Sequence, residues 1–125
     1  MLILDTSIII ELEKENKVFI AKLEELKKQE RSLPKISFIT YFEILEGIEN
    51  KSEKNKEKAK AFVELFEVLQ TTKITAEKLV YLRKNYELPI PDLIIAAQTL
   101  ENNGTLITKD KDFNQIKEIN KIRLF

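Results

Sequence analysis

Histidine and cysteine are both missing from the 125 residues of this chain, and each absence closes a branch of chemistry. Without cysteine there are no disulfides and no thiolate metal sites, which suits a reducing compartment. Without histidine, Ser-His-Asp and Cys-His catalysis, imidazole acid–base work and the usual zinc sites are excluded. Gly47 and Gly104 are the only glycines, too few for a Walker loop or a GxGxxG dinucleotide loop. No apolar run approaches the roughly 18 residues of a membrane span. The apolar start at Met1 lacks a basic leader and a small-residue cleavage site, so no membrane association and a cytoplasmic protein are expected. Neither sign of charge dominates, with 21 basic residues against 21 acidic ones. No global field therefore draws the chain onto nucleic acid, and such binding would need local patches, a metal or a second subunit.

What is present is the composition of a folded protein, 43% hydrophobic and 34% charged, at a length that predicts one domain over residues 1–125. The catalytic repertoire left to it is carboxylate, hydroxyl, Lys and Arg. Leu2-Ile3-Leu4 is apolar without a break, which predicts a strand buried on both faces, as in a parallel sheet covered by helices. Asp5 then stands at the strand's carboxyl end, where open α/β sheets bind their ligands. Two readings fit it: a cap for the helix suggested by Ile8-Ile9-Ile10-Glu11-Leu12, or a functional acid.

A short helix is expected from Ser7 to about Lys14, then a second one capped by Asn16 with Phe19, Leu23 and Leu26 inward. Leu33-Pro34 breaks the chain before a short strand at Ile36, and Ser37 caps a helix from Phe38 to about Asn50. Phe38, Tyr41, Phe42 and Leu45 form its expected apolar face, and Glu43 is the sole charge between Phe38 and Leu45. A carboxylate in such surroundings is costly unless paired, protonated or bound to metal; an ordinary surface Glu is the alternative. The mixed-charge run from Lys51 to Lys58 predicts a solvated helix capped by Ser52, with Ala59, Phe62, Val63, Phe66 and Leu69 as its buried stripe. Thr71-Thr72 and Ile74 suggest a short edge segment, and Thr75 a cap for a helix that ends before Pro89.

Pro89-Ile90-Pro91-Asp92 has the chemistry of a helix start, and the helix from Leu93 to Leu100 is apolar almost all round, so it should be central. Gly104, with Asn102 and Asn103, supplies its stop. Thr105-Leu106-Ile107-Thr108 repeats the opening pattern, a buried strand followed by acids, Asp110 and Asp112, which a simple turn would also explain. Ile122 to Phe125 reads as a last strand. The alternation of strands and helices calls for a parallel sheet in an α/β fold. Parallel strands share one carboxyl edge, and helices leaving that edge can bring Glu43 and Asp92 to Asp5 and Asp110. Carboxylates gathered there repel one another unless a cation intervenes, and an all-oxygen set points to Mg²⁺ or Mn²⁺.

These residues also resemble a known family. Leu4-Asp5-Thr6-Ser7, Ile36-Ser37 through Glu43 to Gly47, Pro91-Asp92-Leu93-Ile94-Ile95-Ala96-Ala97, and Leu106-Ile107-Thr108-Lys109-Asp110-Lys111-Asp112-Phe113 are similar, in order and spacing, to the PIN-domain nucleases. The likeness is strongest to their small VapC-type ribonuclease toxins and covers nearly the whole chain. It implies a three-layer fold, a central parallel sheet of four or five strands flanked by about six or seven helices. It also implies an acidic quartet of Asp5, Glu43, Asp92 and Asp110, with Asp112 a close fifth among the metal ligands and Thr6, Ser7 and Thr108 supporting. The implied reaction is hydrolysis of RNA with one or two Mg²⁺ or Mn²⁺ ions, leaving a 5′-phosphate and a 3′-hydroxyl. Lys109, Lys111, Lys14 and Arg83 are candidate phosphate contacts. The partners implied are RNA, a second copy of the chain and a VapB-like antitoxin that fills the groove. The competing readings are a PIN-fold RNA-binding or RNA-processing module without a toxin role, and a metal-dependent DNA nuclease. A phosphatase of the haloacid dehalogenase type would want an Asp where Ser7 stands, and a receiver domain an acidic pair that is not evident.

Overall fold

Side chains alternate across the first strand, β1 (Leu2–Leu4), and that alternation divides the protein into layers. Leu2 and Leu4 enter one hydrophobic core and Ile3 the other. The computed structural model describes residues 1–30 and 32–124. β1 is flanked in parallel by β2 (Lys35–Ser37) and β4 (Thr105–Thr108), with β3 (Glu67–Leu69) beyond β2 and β5 (Asn120–Arg123) beyond β4. The sheet is thus the expected five-stranded parallel one, in the order β3-β2-β1-β4-β5. Leu4 pairs with Ile36 and with Ile107, so the chain leaves all three central strands at the same level, at Asp5, Ser37 and Thr108.

Six helices cover the sheet: α1 (Thr6–Glu13), α2 (Lys17–Lys27), α3 (Phe38–Ile48), α4 (Glu53–Val63), α5 (Lys73–Asn85) and α6 (Ile90–Glu101). A 3-10 turn spans Lys111–Gln115. The core under Leu2 and Leu4 is built with Ile8, Phe19, Ile44 and Val63 of α1 to α4. The core under Ile3 is built with Leu82 of α5, Leu93, Ile95 and Ala96 of α6, and Phe113 of the 3-10 turn. Helix on sheet on helix gives the three layers. Among the described residues no helix is long and apolar enough to cross a membrane.

Several local expectations are corrected. In α3 the buried residues are Thr40, Ile44 and Ile48, whereas Phe38 and Phe42 are 47% and 49% exposed and Tyr41 and Leu45 only half-buried. A helix this apolar offers several stripes at helical spacing, and the one turned inward is the one that packs with α1, α2 and α4 in the core under Leu2 and Leu4. The stripe assigned to α4 does not continue to Leu69. Bonds from the Leu65 and Phe66 amides to the Phe62 and Val63 carbonyls, three residues back, tighten the last turn and end the helix. Glu67–Leu69 then becomes the edge strand, with Val68 and Leu69 on opposite cores, so the edge is not at Thr71–Ile74. Ser52 stands at the start of α4 without a side-chain cap bond.

Thr72, not Thr75, caps α5. Its hydroxyl accepts from the Ile74 and Thr75 amides while the Thr75 hydroxyl accepts from the Thr72 amide, a reciprocal box that favours the earlier threonine. After α6 the left-handed residue is Asn103 (φ 51°), whereas Gly104 answers to packing, since a Cβ there would lie 2.6 Å from Ile3 Cδ1. β5 begins two residues earlier than expected, and Phe125 lies outside the described residues.

Candidate active site

From β1 the chain winds outward to β2 and β3, then returns across the sheet to β4 and β5. The reversal opens a crevice at the carboxyl ends of β1 and β4, where ligands bind in open parallel sheets. Asp5 occupies that point, only 5% exposed. Its Oδ1 accepts the Thr6 amide (2.7 Å), and its Oδ2 accepts the Ser7 hydroxyl (3.0 Å) and the Thr108 hydroxyl (2.6 Å). Those hydroxyls in turn accept the Lys109 amide (3.3 Å) and the Asp110 amide (2.9 Å), so the turn after β4 is tied to the acid at the end of β1. Asp5 therefore caps α1 and is also part of an acidic cluster; the two readings are not exclusive.

The other acids arrive on separate elements. Glu43, half-buried on the second turn of α3, accepts the Thr6 hydroxyl at 2.8 Å, and Thr6 is also hydrogen-bonded to the buried Thr40 hydroxyl at 3.1 Å. Asp92 sits in the first turn of α6, and Asp110 caps the 3-10 turn by accepting the Asp112 amide at 2.8 Å. Burial raises the Asp92 pKa to about 6, and the charges of Asp5, Asp110, Glu43 and Asp112 add to it. A first-turn acid is ordinarily stabilised by the helix dipole, so four like charges and partial burial outweigh that dipole here. Burial also raises Asp5, helped by the charge of Asp110 and opposed by its bonds from Thr108, Ser7 and Thr6.

The charges of Asp5, Asp110, Glu43 and Asp112 thus all reach Asp92. Among the described residues, however, no three of them meet closely enough to chelate an ion as they stand, and like charges without a counter-ion hold apart. The donor set suits a hard divalent cation nonetheless, because every available atom is a carboxylate or hydroxyl oxygen. Among the described residues Asp92 has neither hydrogen bond nor ion pair for its carboxylate. Such a group is stabilised by either a proton or a cation.

The basic residues are less simply disposed. Lys109 is turned away: its ammonium lies 2.9 Å from Glu11 Oε1 and 5.4 Å from the centre of the Phe19 ring. Its expected phosphate contact is thus already taken by an acid on α1. Lys111 is exposed on the 3-10 turn, and Arg83 is exposed in the last turn of α5. Lys14 lines a cleft of about 620 Å³ that also contains Thr6 and Glu43, with Ile44 and Ile48 of α3 and Phe62 of α4. Lys51 and Lys58 join this cleft, which local charge alone did not reveal, and Lys51 is 3.5 Å from Glu13. Buried Gln98 was also missed, although a polar pair, Gln98 and Thr99, inside an apolar helix was the signal.

Comparison with known proteins agrees with this fold. The PIN domain profile matches residues 2–119. A chain of VapBC2 from Rickettsia felis, bound to a DNA fragment from their promoter, superposes with a TM-score of 0.84 at 22% identity, covering 99% of this chain and 98% of that one. A toxin-antitoxin complex from Klebsiella pneumoniae contains a chain with a TM-score of 0.80 at 27% identity, covering 98% and 96%. VapBC-1 from nontypeable Haemophilus influenzae gives 0.78 at 26%, again covering 98% and 96%. No protein of curated function matches in sequence. With a five-stranded parallel sheet, acids gathered at its switch point and a profile match over nearly its whole length, the chain belongs to the PIN domain family, a family of nucleases.

Proposed function

We propose that the protein is a cytoplasmic, divalent-metal-dependent endoribonuclease of the VapC type, the toxin of a toxin–antitoxin pair. The observation that carries the reading is Asp92, half-buried, without a partner among the described residues and raised in pKa by burial and by the charges of four other carboxylates. Asp5, Glu43, Asp92 and Asp110, with Asp112, would hold one or two Mg²⁺ or Mn²⁺ ions. The chemistry such an ion supplies when bound is a more acidic water and a neutralised phosphate.

The chain's own residues prepare for it. Thr108 and Ser7 donate to Asp5 Oδ2 and favour its ionised form, while Thr6 orients Glu43. Asp92 holds a proton near pH 6 that it must give up for the site to take a cation. Lys14 and Lys111 are the expected phosphate contacts, since Lys109 is engaged by Glu11.

The toxin assignment draws on the likeness to VapBC and related toxin–antitoxin structures. The antitoxin fits the cleft beside Glu43, whose floor is apolar at Ile44, Ile48 and Phe62 and suits a segment with apolar side chains. A second apolar cleft of about 410 Å³ shares Leu12 and Phe62 with the first and lengthens that track. The exposed Phe38 and Phe42 on α3 favour a homodimer, because two neighbouring aromatics facing water gain by pairing. The test is purified, antitoxin-free protein with labelled RNA and matched DNA in Mg²⁺, Mn²⁺ and EDTA, beside Asp5→Asn. RNA cleavage in either metal, absent in EDTA and in Asp5→Asn, is expected. Cleavage that persists in EDTA refutes the mechanism, and cleavage of DNA alone refutes the RNA reading.

A further inference from the structure

The helices that carry Glu43 and Asp92 are joined by one fully buried amide. Gln98 of α6 has no exposed surface, and its Oε1 accepts both the Ser37 hydroxyl and the Phe38 amide (3.1 Å) at the start of α3. Its Nε2 donates to the Leu69 carbonyl at the end of β3 (3.1 Å). The Phe38 amide is one of the helix-end donors that α3 cannot satisfy itself, so a side chain of α6 completes the cap of α3. Ser37 adds a second cap bond by accepting the Ile39 amide at 3.2 Å.

From this junction Asp92 lies six residues back along α6 and Glu43 five residues onward from Phe38 along α3. At 1.5 Å per residue these are rigid arms of about 9 Å and 7.5 Å. Both arms run toward the carboxyl edge of the sheet: Glu43 accepts the hydroxyl of Thr6, next to Asp5, at 2.8 Å, and the charges of Asp5 and Glu43 both reach Asp92. The two acids repel, and a loosened junction lets them separate.

We infer that Gln98 is a positioning residue: by capping α3 from α6 and gripping β3, it sets the spacing of Glu43 and Asp92 that a divalent cation requires. This rests on the proposed function above. Loss of a supporting hydrogen bond around a metal site commonly costs 10- to 100-fold in affinity. Misplacement by about 1 Å can cost about 100-fold in rate.

The experiment uses the full chain, stripped with EDTA, and compares wild type, Gln98→Met, Ser37→Ala and Gly104→Ala. Mn²⁺ affinity is read by calorimetry, thermal midpoint by circular dichroism, and kcat and KM for RNA at saturating Mn²⁺. Gln98→Met keeps the side-chain length without the hydrogen bonds, and is expected to weaken Mn²⁺ about 10-fold or more and lower kcat with little change in KM. Ser37→Ala removes one of the bonds to Oε1 together with the cap on the Ile39 amide and is expected to weaken Mn²⁺ about threefold; it decides the matter if Gln98→Met does not fold. Gly104→Ala overpacks the core against Ile3, away from the acids, and should lower the midpoint with Mn²⁺ affinity unchanged. Folded Gln98→Met or Ser37→Ala with wild-type affinity and kcat, only the midpoint falling, overturns the positioning role alone. Wild type that binds no Mn²⁺ overturns the proposed function and this inference together.

Discussion

Asp92→Asn should make the metal-free protein more stable while abolishing its response to metal. With its pKa moved from 3.8 to about 6, the folded state binds the Asp92 proton more tightly than the unfolded chain. The sign follows: this group favours folding most below pH 3.8, and the advantage is lost as pH rises through about 6. A shift of about two units corresponds to roughly 3 kcal/mol at neutral pH. The carboxylate is half-exposed, and solvent screening together with the favourable helix dipole reduces this to about 1 kcal/mol. Replacing the charge by an amide recovers that amount, about 3–5 °C in thermal midpoint for a chain of this size.

Thermal unfolding followed by circular dichroism from pH 4.5 to 8 in EDTA measures it. The variant should be more stable than wild type at pH 7.5 and the gain clearly smaller at pH 4.5, where folded wild-type Asp92 carries its proton but the unfolded chain has largely lost it. Millimolar Mg²⁺ should then raise the wild-type midpoint and leave that of Asp92→Asn unchanged. If Asp92→Asn is less stable at pH 7.5 in EDTA, or gains equally at pH 4.5, the electrostatic reasoning fails.

Thr108→Val removes the 2.6 Å donor to Asp5 and the acceptor of the Asp110 amide, so it should cost about 1–3 kcal/mol and reduce RNA cleavage. Unchanged denaturant midpoint and unchanged cleavage would count against the tie between β1 and β4. Gly104→Ala drives a methyl to within 2.6 Å of Ile3 Cδ1, and should lower stability by about 1–2 kcal/mol through overpacking, read as a lower thermal midpoint. Phe38→Glu with Phe42→Glu places charge on the exposed face of α3 without touching either core, so light scattering should report a smaller mass at unchanged helicity. An unchanged mass places the self-association surface elsewhere.

Local chemistry determined the order of elements. The unbroken apolar runs of β1 and β4, the caps at Asn16 and Ser37, and the proline-led start of α6 each speak through their immediate neighbours, and each element forms where they indicate. The acids Asp5, Asp92 and Asp110 were legible for the same reason, as charges adjoining apolar elements. Spatial facts were decided only by the tertiary structure. The Phe38 amide at the start of α3 meets Gln98 across 60 residues of chain, and which stripe of α3 is buried is set by packing against such distant elements. Lys109 and Lys111 look equivalent in sequence, yet one is held by Glu11 and the other faces solvent, because Glu11 lies within reach only after β4 docks beside β1. The end of α4 and the strand at Glu67–Leu69 were obscured because an apolar stripe fits helix and strand alike over so few residues, and pairing with β2 resolves it. The raised pKa of Asp92 belongs to the same class: neighbours distant in the chain and partial burial create it.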